Sequence, residues 1–359
     1  MTLFYELIQV ALGEKENLSS HPSEKEWELL FSASLKQTVA GLTFCALDKL
    51  SKKGQNTPIS LLYEWIGASE NIRQQNLLLN RRSVEITSLL LEEGFRSCIL
   101  KGQGNALMYA DPYLRAPGDI DIWLDGEKEK IVNFVRKKFP NTPDNGIHLD
   151  YPIYADVDVE VHYQPQYLAS KHYNKRLVDF FTKESDAQFS HKVQLPGVDG
   201  EVSVPYAYFN LILQLAHILG HFYGEGLGFR HLVDIYYVLK NIGDDHRNYE
   251  NLLSHLGLLS FAKGIMWIEH DILGLDESYL VVKPSEKKGR LILREIEEGG
   301  NFGYYNKKNI IRNKSVFVRA FMDTYRHLQL FTIQPSEAFQ RLINKMTNVK
   351  SWKEAIQLK

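Results

Sequence analysis

The sequence predicts an α+β protein: a small mixed sheet with helices on one face, preceded by an N-terminal helical segment and followed by a C-terminal α-helical bundle. Apolar residues recur at helical spacing up to about residue 95 and again from about residue 206. Between these regions, short apolar runs and alternating residues indicate strands. Because 359 residues exceed the usual size of one hydrophobic core, we expect three units, at 1–95, 96–205 and 206–359.

The N-terminal segment has the pattern of amphipathic helices. Leu3 and Leu7 begin an apolar stripe, and a long amphipathic run extends from Leu61 to Glu93. Gly94 follows this run, as is typical of a helix C-terminus. The buried-type run Cys98-Ile99-Leu100 then predicts the first strand of the sheet.

The central region alternates between predicted strands and helices. The turn Lys101-Gly102-Gln103-Gly104 leads into a short helix that ends near Met108, and residues Asp119 to Leu124 form the second predicted strand. A helix is predicted from Glu127 to Phe139, and strands from His148 to Tyr163. In this last stretch the acids and the valines alternate, which predicts a buried valine face and a polar face that carries Asp156, Asp158, Glu160 and His162.

A β-hairpin and a helical bundle complete the predicted chain. Residues 188–205 contain Pro-Gly-Val-Asp-Gly between two short extended runs, which is typical of a hairpin. Helical spacing follows, with a break at residues 224–228, and we expect this bundle to close over the site on the sheet. The Lys- and Arg-rich tail, residues 307–359, is interpreted as a solvated helical face.

Composition excludes several classes of protein. The net charge of −2 provides no global positive field for extended nucleic acid. Cys45 and Cys98 have neither zinc-ligand spacing nor the density of a disulfide framework. The N-terminus lacks the pattern of a signal peptide, and no uncharged apolar run reaches about 18 residues. We therefore expect a cytoplasmic protein without a membrane partner.

Asp119 and Asp121 are the leading candidates for chemistry. They lie two residues apart on a predicted strand, so both carboxylates project from one face while Ile120 and Ile122 enter the core. Mg²⁺ prefers hard oxygen ligands and binds through one or two carboxylates together with substrate phosphates. The pair therefore predicts a site for Mg²⁺, or for Mn²⁺. A solvated edge strand is the alternative interpretation of two acids at this spacing.

The glycine turn before the second strand could approach a phosphate. Lys101, Gly102 and Gln103 lie between a predicted strand and a predicted helix, where backbone N–H groups are available to an anion. Arg115 is a further candidate, because a guanidinium group matches phosphate oxygens. Simpler roles remain open: Lys101 as a solvated turn residue, and Arg115 in an ion pair with Asp119 or Asp111.

The combined order of these motifs resembles the DNA polymerase beta-type nucleotidyltransferase superfamily. Within it, the segments Leu100-Lys101-Gly102, Arg115 with Gly118-Asp119-Ile120-Asp121, and Glu160-Val161-His162 are similar to an uncharacterised bacterial nucleotidyltransferase family. The later residues His217, His221 and Asp234 contribute to the resemblance, which covers residues 99–239. Gln103 departs from the superfamily pattern because it stands where a serine is more common.

The resemblance implies a third carboxylate, a nucleoside triphosphate substrate and a divalent metal. Glu160 is the best match for the third acid, and Asp158 remains the alternative because it is predicted on the same strand face. The resemblance implies three catalytic acids, Asp119, Asp121 and Glu160. The candidate metal ligands are the same three acids and Asp158. The residues expected to contact the nucleotide are Lys101, Gly102, Gln103 and Arg115. A second metal ion held by the third acid would activate an acceptor hydroxyl.

Several assignments around this core remain open. His217 and His221 are spaced for a metal, but packing or hydrogen bonding is the favoured role in the absence of an H-E-x-x-H glutamate. Arg230 and Asp234 are spaced for an ion pair within one helix.

The predicted reaction moves a nucleoside monophosphate, with ATP as the expected donor class, to an unknown acceptor. A small molecule, a sugar or a protein side chain is favoured over nucleic acid, because the chain lacks a global basic field. Two alternatives remain: a catalytically inactive nucleotidyltransferase-like binding module, and a D-x-D glycosyltransferase.

Overall fold

A four-stranded mixed sheet lies at the centre of the computed structural model, which describes residues 2–224, 226–243, 245–299 and 330–347. The strands occur in the spatial order β1-β2-β4-β3, and β2 and β4 are parallel while the two outer pairings are antiparallel. A separate two-stranded hairpin, β5-β6, follows in the chain. The strands are β1 (Ser97–Leu100), β2 (Ile120–Leu124), β3 (His148–Asp150), β4 (Val159–His162), β5 (Lys192–Gln194) and β6 (Glu201–Ser203).

Helices precede, connect and follow the strands. The helices before and within the sheet region are α1 (Thr2–Leu12), α2 (Glu24–Lys36), α3 (Ala40–Lys52), α4 (Ile59–Glu92), α5 (Gly102–Ala106), α6 (Lys128–Lys138) and α7 (Lys171–Ser190). The later helices are α8 (Ala207–Tyr223), α9 (Phe229–Asn241), α10 (Tyr249–His255), α11 (Leu259–Trp267), α12 (Glu286–Gly299) and α13 (Pro335–Thr347). Among the described residues, no helix is both long and apolar enough to cross a membrane.

Helices cover both faces of the sheet, so the prediction of helices on one face was wrong. Ile122 and Val161 pack in one core with residues of α4 and α6. On the opposite face, the ring of Trp123 lies 4.4 Å from the ring of Phe189 and 6.0 Å from that of Phe209, which belong to α7 and α8. The reason is that β2 is buried on both faces, as β1 is, whereas the alternation of acids and isoleucines had suggested an open polar face for β2.

The N-terminal and C-terminal helices share one hydrophobic core. Phe4 of α1 packs edge-on against Phe229 of α9, with 5.5 Å between ring centroids. Gln37, which caps α2, donates a hydrogen bond to the backbone carbonyl of Ile296 in α12. The boundaries near residues 95 and 205 stay predictions, but these contacts show that the flanking helices stabilise each other.

Most predicted elements are present within a few residues of their expected bounds. The α+β class with flanking helices is confirmed, as are the long helix α4, the hairpin and the break between α8 and α9. The strands predicted from His148 to Tyr163 are interrupted, because residues 151–158 form a loop between β3 and β4. The basic tail lies largely outside the described residues.

Candidate active site

Strand register brings two of the predicted acids side by side. Asp121 of β2 is the direct partner of Glu160 in the parallel strand β4, so both side chains project from the same face. Asp119 immediately precedes β2. One carboxylate oxygen from each of Asp119, Asp121 and Glu160 lies within 4.8 Å of the others. Asp121 is buried, Glu160 half-buried and Asp119 exposed.

Two histidines follow the acids on the same sheet face. The Nε2 atom of His162 lies 3.0 Å from Oδ1 of Asp121 and 3.3 Å from Oε2 of Glu160. His148, its partner across β3 and β4, places Nδ1 3.3 Å from the same glutamate oxygen. His162 therefore holds Asp121 and Glu160 in a fixed relation to each other.

Lys101 provides a positive charge at the acids. Its Nζ atom lies 3.0 Å from Oδ2 of Asp121 and 3.4 Å from Nδ1 of His217 in α8. The backbone of Lys101 has a φ of 50°, which only a few non-glycine residues adopt and which costs on the order of 1–3 kcal/mol. Strain of this kind persists only where the surrounding structure holds it, and here it turns the chain sharply from β1 into α5.

The electrostatics of the two aspartates differ. The neighbouring charge of Asp121 raises the pKa of Asp119 to about 6, and partial desolvation of its carboxylate acts in the same direction although the residue reaches solvent. Burial alone would raise the pKa of Asp121, but the charge of Lys101 and the hydrogen bond from His162 outweigh it and lower that pKa. Burial would also lower the pKa of His162, yet hydrogen bonds to Asp121 and Glu160 raise it. Asp121 is therefore ionised, while Asp119 lacks a sufficient positive partner.

The acid group fits a hard divalent cation. Three carboxylates supply the oxygen ligands that Mg²⁺ and Mn²⁺ prefer. The raised pKa of Asp119 has like-charge repulsion as its largest cause, and a cation would relieve that repulsion. A second group, His148, Glu160 and His162, also brings three ligand atoms within 4.8 Å, but its imidazole nitrogens suit a softer transition metal.

A cavity of about 410 Å³ is lined by the acids on one side and by α8 and α9 on the other. His217 and His221 of α8 and Arg230 and His231 of α9 line it, together with Lys101 beside Asp121. Burial is the largest cause that lowers the pKa of each of the three histidines, to about 4 for His221, so they are uncharged at neutral pH. The C-terminal helices thus form one wall of the cavity, as expected of the bundle, and they contribute cationic and neutral hydrogen-bonding groups that the sequence had not indicated.

Arg115 forms a buried ion pair that the sequence did not predict. Its Nε and Nη2 atoms donate to the two carboxylate oxygens of Asp234 in α9, at 2.9 and 2.8 Å. Tyr109 and Asn105 also donate to Asp234, at 2.8 and 3.1 Å. Asp119 and Asp111, the partners considered as an alternative to a phosphate contact, are not the residues that Arg115 pairs with. This network ties the segment before β2 to α9.

Arg230 likewise has a different partner from the one expected. The i, i+4 pair with Asp234 was wrong, because Asp234 is engaged by Arg115 and the Nη1 atom of Arg230 donates to the carbonyl of Pro117 at 3.0 Å. Arg230 and Arg115 therefore both brace the segment that leads to Asp119. The cluster of histidines in and after α8 was the sequence signal that could have indicated this wall.

The predicted nucleotide contacts do not all face the cavity. Lys101, Gly102 and Arg115 line it. The buried side chain of Gln103 instead donates a hydrogen bond to Asn80 of α4. Gly104 packs against the hairpin, where an added Cβ would lie 3.1 Å from Val204.

Asp158 lies apart from the acid group. It precedes β4, its side chain is exposed, and among the described residues it belongs to neither group of ligand atoms. Its predicted place on the strand face was wrong because β4 begins at Val159. His217 and His221 pack with their rings 4.4 Å apart and belong to neither ligand group either.

Comparisons with known proteins find two similarities. The model of a family described as "Uncharacterised nucleotidyltransferase" matches residues 23–274. Among solved structures, the chain is similar to an antigenic nucleotidyltransferase-like protein from Paracoccidioides brasiliensis, with 14% identity and a TM-score of 0.27 over 53% of this chain and 94% of that chain. A search of curated proteins found no match.

Proposed function

The chain belongs to the uncharacterised nucleotidyltransferase family, and from this membership we propose that it is a metal-dependent nucleotidyltransferase. The observation that carries the proposal is the proximity of Asp119, Asp121 and Glu160, whose oxygens lie within 4.8 Å of one another beside a cavity with cationic groups. The family match favours nucleotidyl transfer over the glycosyltransferase alternative.

In the proposed reaction, an acceptor hydroxyl oxygen bonds to the α-phosphorus of a nucleoside triphosphate. The bond from that phosphorus to the bridging oxygen breaks, pyrophosphate leaves, and the hydroxyl proton passes to a carboxylate of the site or to water. Mg²⁺ or Mn²⁺, held by Asp119, Asp121 and Glu160, would supply neutralisation of the charge on the phosphates. In-line attack requires the donor and the acceptor to be held on opposite sides of the α-phosphorus.

The residues of the chain have separate tasks in this proposal. Asp119 and Asp121 would hold the metal ion, whose charge would offset that of the triphosphate, and His162 orients Asp121 by a hydrogen bond. Glu160 serves the acceptor side. Lys101 lies 3.0 Å from Asp121, so its ammonium group is placed to contact a phosphate that approaches this carboxylate.

The wall of α8 and α9 would contact the rest of the triphosphate. Arg230 supplies a guanidinium group, and His217 and His221 supply uncharged hydrogen-bonding nitrogens. Arg115 has a positioning role, because its Nε and Nη2 groups already donate hydrogen bonds to the two carboxylate oxygens of Asp234. This replaces the direct nucleotide contact that the sequence suggested for it.

A binding module without catalysis is the second candidate, and one observation favours it. Each oxygen of Asp121 already has a partner at 3.0 Å, Lys101 on one side and His162 on the other. If these partners remain in place, Asp121 has little capacity for a metal ion. Metal binding therefore separates the two candidates.

The test is release of pyrophosphate from each of the four nucleoside triphosphates with Mg²⁺ or Mn²⁺, across pooled hydroxyl acceptors. We expect release with the parent and loss with Asp121→Asn. Asp179→Asn, which changes an exposed acid of α7 away from the cavity, is the matched control. Triphosphate binding that does not require a metal ion, without any release, would favour the inactive module, and absence of triphosphate binding with or without metal would refute both candidates.

A further inference from the structure

A row of acids crosses the sheet and connects two cavities. Strand register aligns Asp121 of β2 with Glu160 of β4, and Glu160 with Asp150 of β3. Directly paired residues project from the same sheet face, so the three carboxylates follow one another across three strands. Asp150 is exposed at the outer strand.

The two ends of this row line different cavities. Asp121 lines the cavity of about 410 Å³ that faces α8 and α9. Asp150 lines a second cavity, of about 760 Å³, formed by the loop after α6 and the loop after β3. Glu160 and Asp119 line both cavities. A molecule in the second cavity would therefore contact Asp119 and Glu160 without occupying the cavity that α8 and α9 line.

A third, smaller cavity offers a less suitable route. It has a volume of about 310 Å³ and is lined by Asp119 and Asp158, but not by Glu160. Because Glu160 is the acid assigned to the acceptor side, the second cavity matches the geometry of the reaction better.

The charges of the second cavity distinguish it from the first. Asp119, Asp150, Asp158 and Glu160 line it, and its one lysine, Lys138, is already paired with Glu93 at 2.7 Å. Within the part of the chain that the structure describes, neither Asp150 nor Asp158 forms an ion pair. Metal ions at the reaction centre would offset Asp119 and Glu160 but would leave these two acids uncompensated.

The remaining lining has a substantial apolar part. Phe139 and Tyr151 contribute aromatic rings that pack edge-on at 5.1 Å, and three prolines and Val159 complete this part of the lining. Apolar lining with a few charged groups is the usual composition of a small-molecule site. An anionic acceptor would be repelled, whereas a cationic one would be attracted at the outer end of the row.

We propose that the second cavity binds the acceptor, and that the acceptor is a small hydroxyl compound carrying a positively charged amine. This inference rests on the proposed nucleotidyl transfer. The hydroxyl would lie at Glu160 and the amine at Asp150, with the apolar body of the molecule between them. The nucleoside triphosphate would occupy the first cavity, which shares Asp119 and Glu160 with the second.

Paramagnetic relaxation tests this assignment with probes of matched shape. The parent protein is loaded with Mn²⁺ and α,β-methylene-ATP, and binding of this pair is first measured by calorimetry. Proton relaxation is then compared for choline, its uncharged isostere 3,3-dimethylbutan-1-ol, and the anion 2-hydroxyethanesulfonate. Relaxation by Mn²⁺ falls steeply with distance, so it reports only probes bound close to the acids.

We expect the relaxation enhancement of choline to exceed that of the isostere by about threefold or more, and the sulfonate to show the least. Asp150→Lys should reduce the choline enhancement by about five-fold, since it replaces attraction by repulsion at an exposed position. Lysine is tolerated on exposed outer strands, and Asp150→Asn should give an intermediate effect. Asp179→Lys, the same charge change on α7, should have no effect.

The outcomes distinguish failure of the proposed nucleotidyltransferase site from failure of the proposed acceptor site. Failure of Mn²⁺ and the analogue to bind overturns the proposed nucleotidyltransferase site. If they bind but choline and its isostere relax equally, or neither relaxes, or the sulfonate relaxes most, the acceptor class is wrong. If choline relaxes most but Asp150→Lys leaves its relaxation unchanged, the amine does not bind in the second cavity.

Discussion

Replacement of Asp234 by asparagine tests the buried network that braces the candidate site. Asp234 and Arg115 retain only 3% and 6% of their side-chain exposure, and they are joined by two hydrogen bonds. Asparagine has nearly the same shape but no charge. The guanidinium group of Arg115 would therefore remain buried without its counter-ion, which is the costly way to break such a pair.

The expected loss follows from this geometry. Removal of one partner of a buried ion pair costs about 3–5 kcal/mol of unfolding free energy. Tyr109 and Asn105 would each also lose a charged acceptor, which places Asp234→Asn towards the upper end of that range. For a protein of this size the melting temperature should fall by on the order of 10 °C.

Urea unfolding monitored by tryptophan fluorescence measures the loss. The control is Asp156→Asn, which breaks the solvent-accessible pair between Asp156 and Arg82 and should change stability far less, because water screens that pair. The double variant Asp234→Leu, Arg115→Met should recover much of the stability, because no charge is left buried. Equal losses for Asp234→Asn and Asp156→Asn would refute the view that the buried pair is a structural brace.

Three further predictions concern the acids. Asp119→Ala and Asp121→Ala should each weaken Mn²⁺ binding with triphosphate by at least about tenfold in calorimetry, since each removes an anionic ligand; unchanged affinity in both would place the metal elsewhere. Glu160→Gln should abolish transfer while most triphosphate binding is kept, and Asp158→Asn should reduce turnover less; a dead Asp158→Asn beside an active Glu160→Gln would exchange their roles. In the metal-free protein, Asp119 should titrate near pH 6 by carboxyl NMR, and Asp121→Asn should lower that pKa; an unchanged value would mean that Asp121 is not its main cause.

The raised pKa of Asp119 determines whether its titration raises or lowers the free energy of unfolding as the pH changes. Its pKa in the folded protein is raised from 3.8 to about 6, so the folded state binds the proton more tightly than the unfolded chain. Between these two pH values, stability should therefore rise as the pH falls, which is opposite to the behaviour of a carboxylate held by a cation. Asp121 has a lowered pKa and contributes in the usual direction, with stability lost only in strong acid.

Local patterns in the sequence were sufficient to predict most helices and strands and the shared orientation of Asp119 and Asp121. A periodicity of 3.6 residues predicted α4 to within two residues at its start and one at its end. Alternation predicted that Ile120 and Ile122 enter the core and that the side chains of Asp119 and Asp121 project from the opposite face of the strand. These features depend on backbone geometry within a few residues, so they can be read without knowledge of the rest of the chain.

Other features required the tertiary structure. Arg115 and Asp234 are separated by 119 positions, and no local pattern distinguishes that pairing from one with Asp119 or Asp111. The row from Asp121 through Glu160 to Asp150 likewise depends on the register of three strands, because a shift by one residue would turn a whole strand to the opposite face.

The sequence by itself determined which residue types are available at the site: carboxylates at a spacing of two, a glycine turn beside a lysine, and histidines on a later helix. The tertiary structure decided which of them meet. It brought Glu160 rather than Asp158 to the aspartates, turned Gln103 away, and made Glu160 part of the lining of two cavities. The physical reason is that local periodicity sets the direction of a side chain relative to its own backbone, whereas strand register and helix packing set its distance from residues far away in the chain.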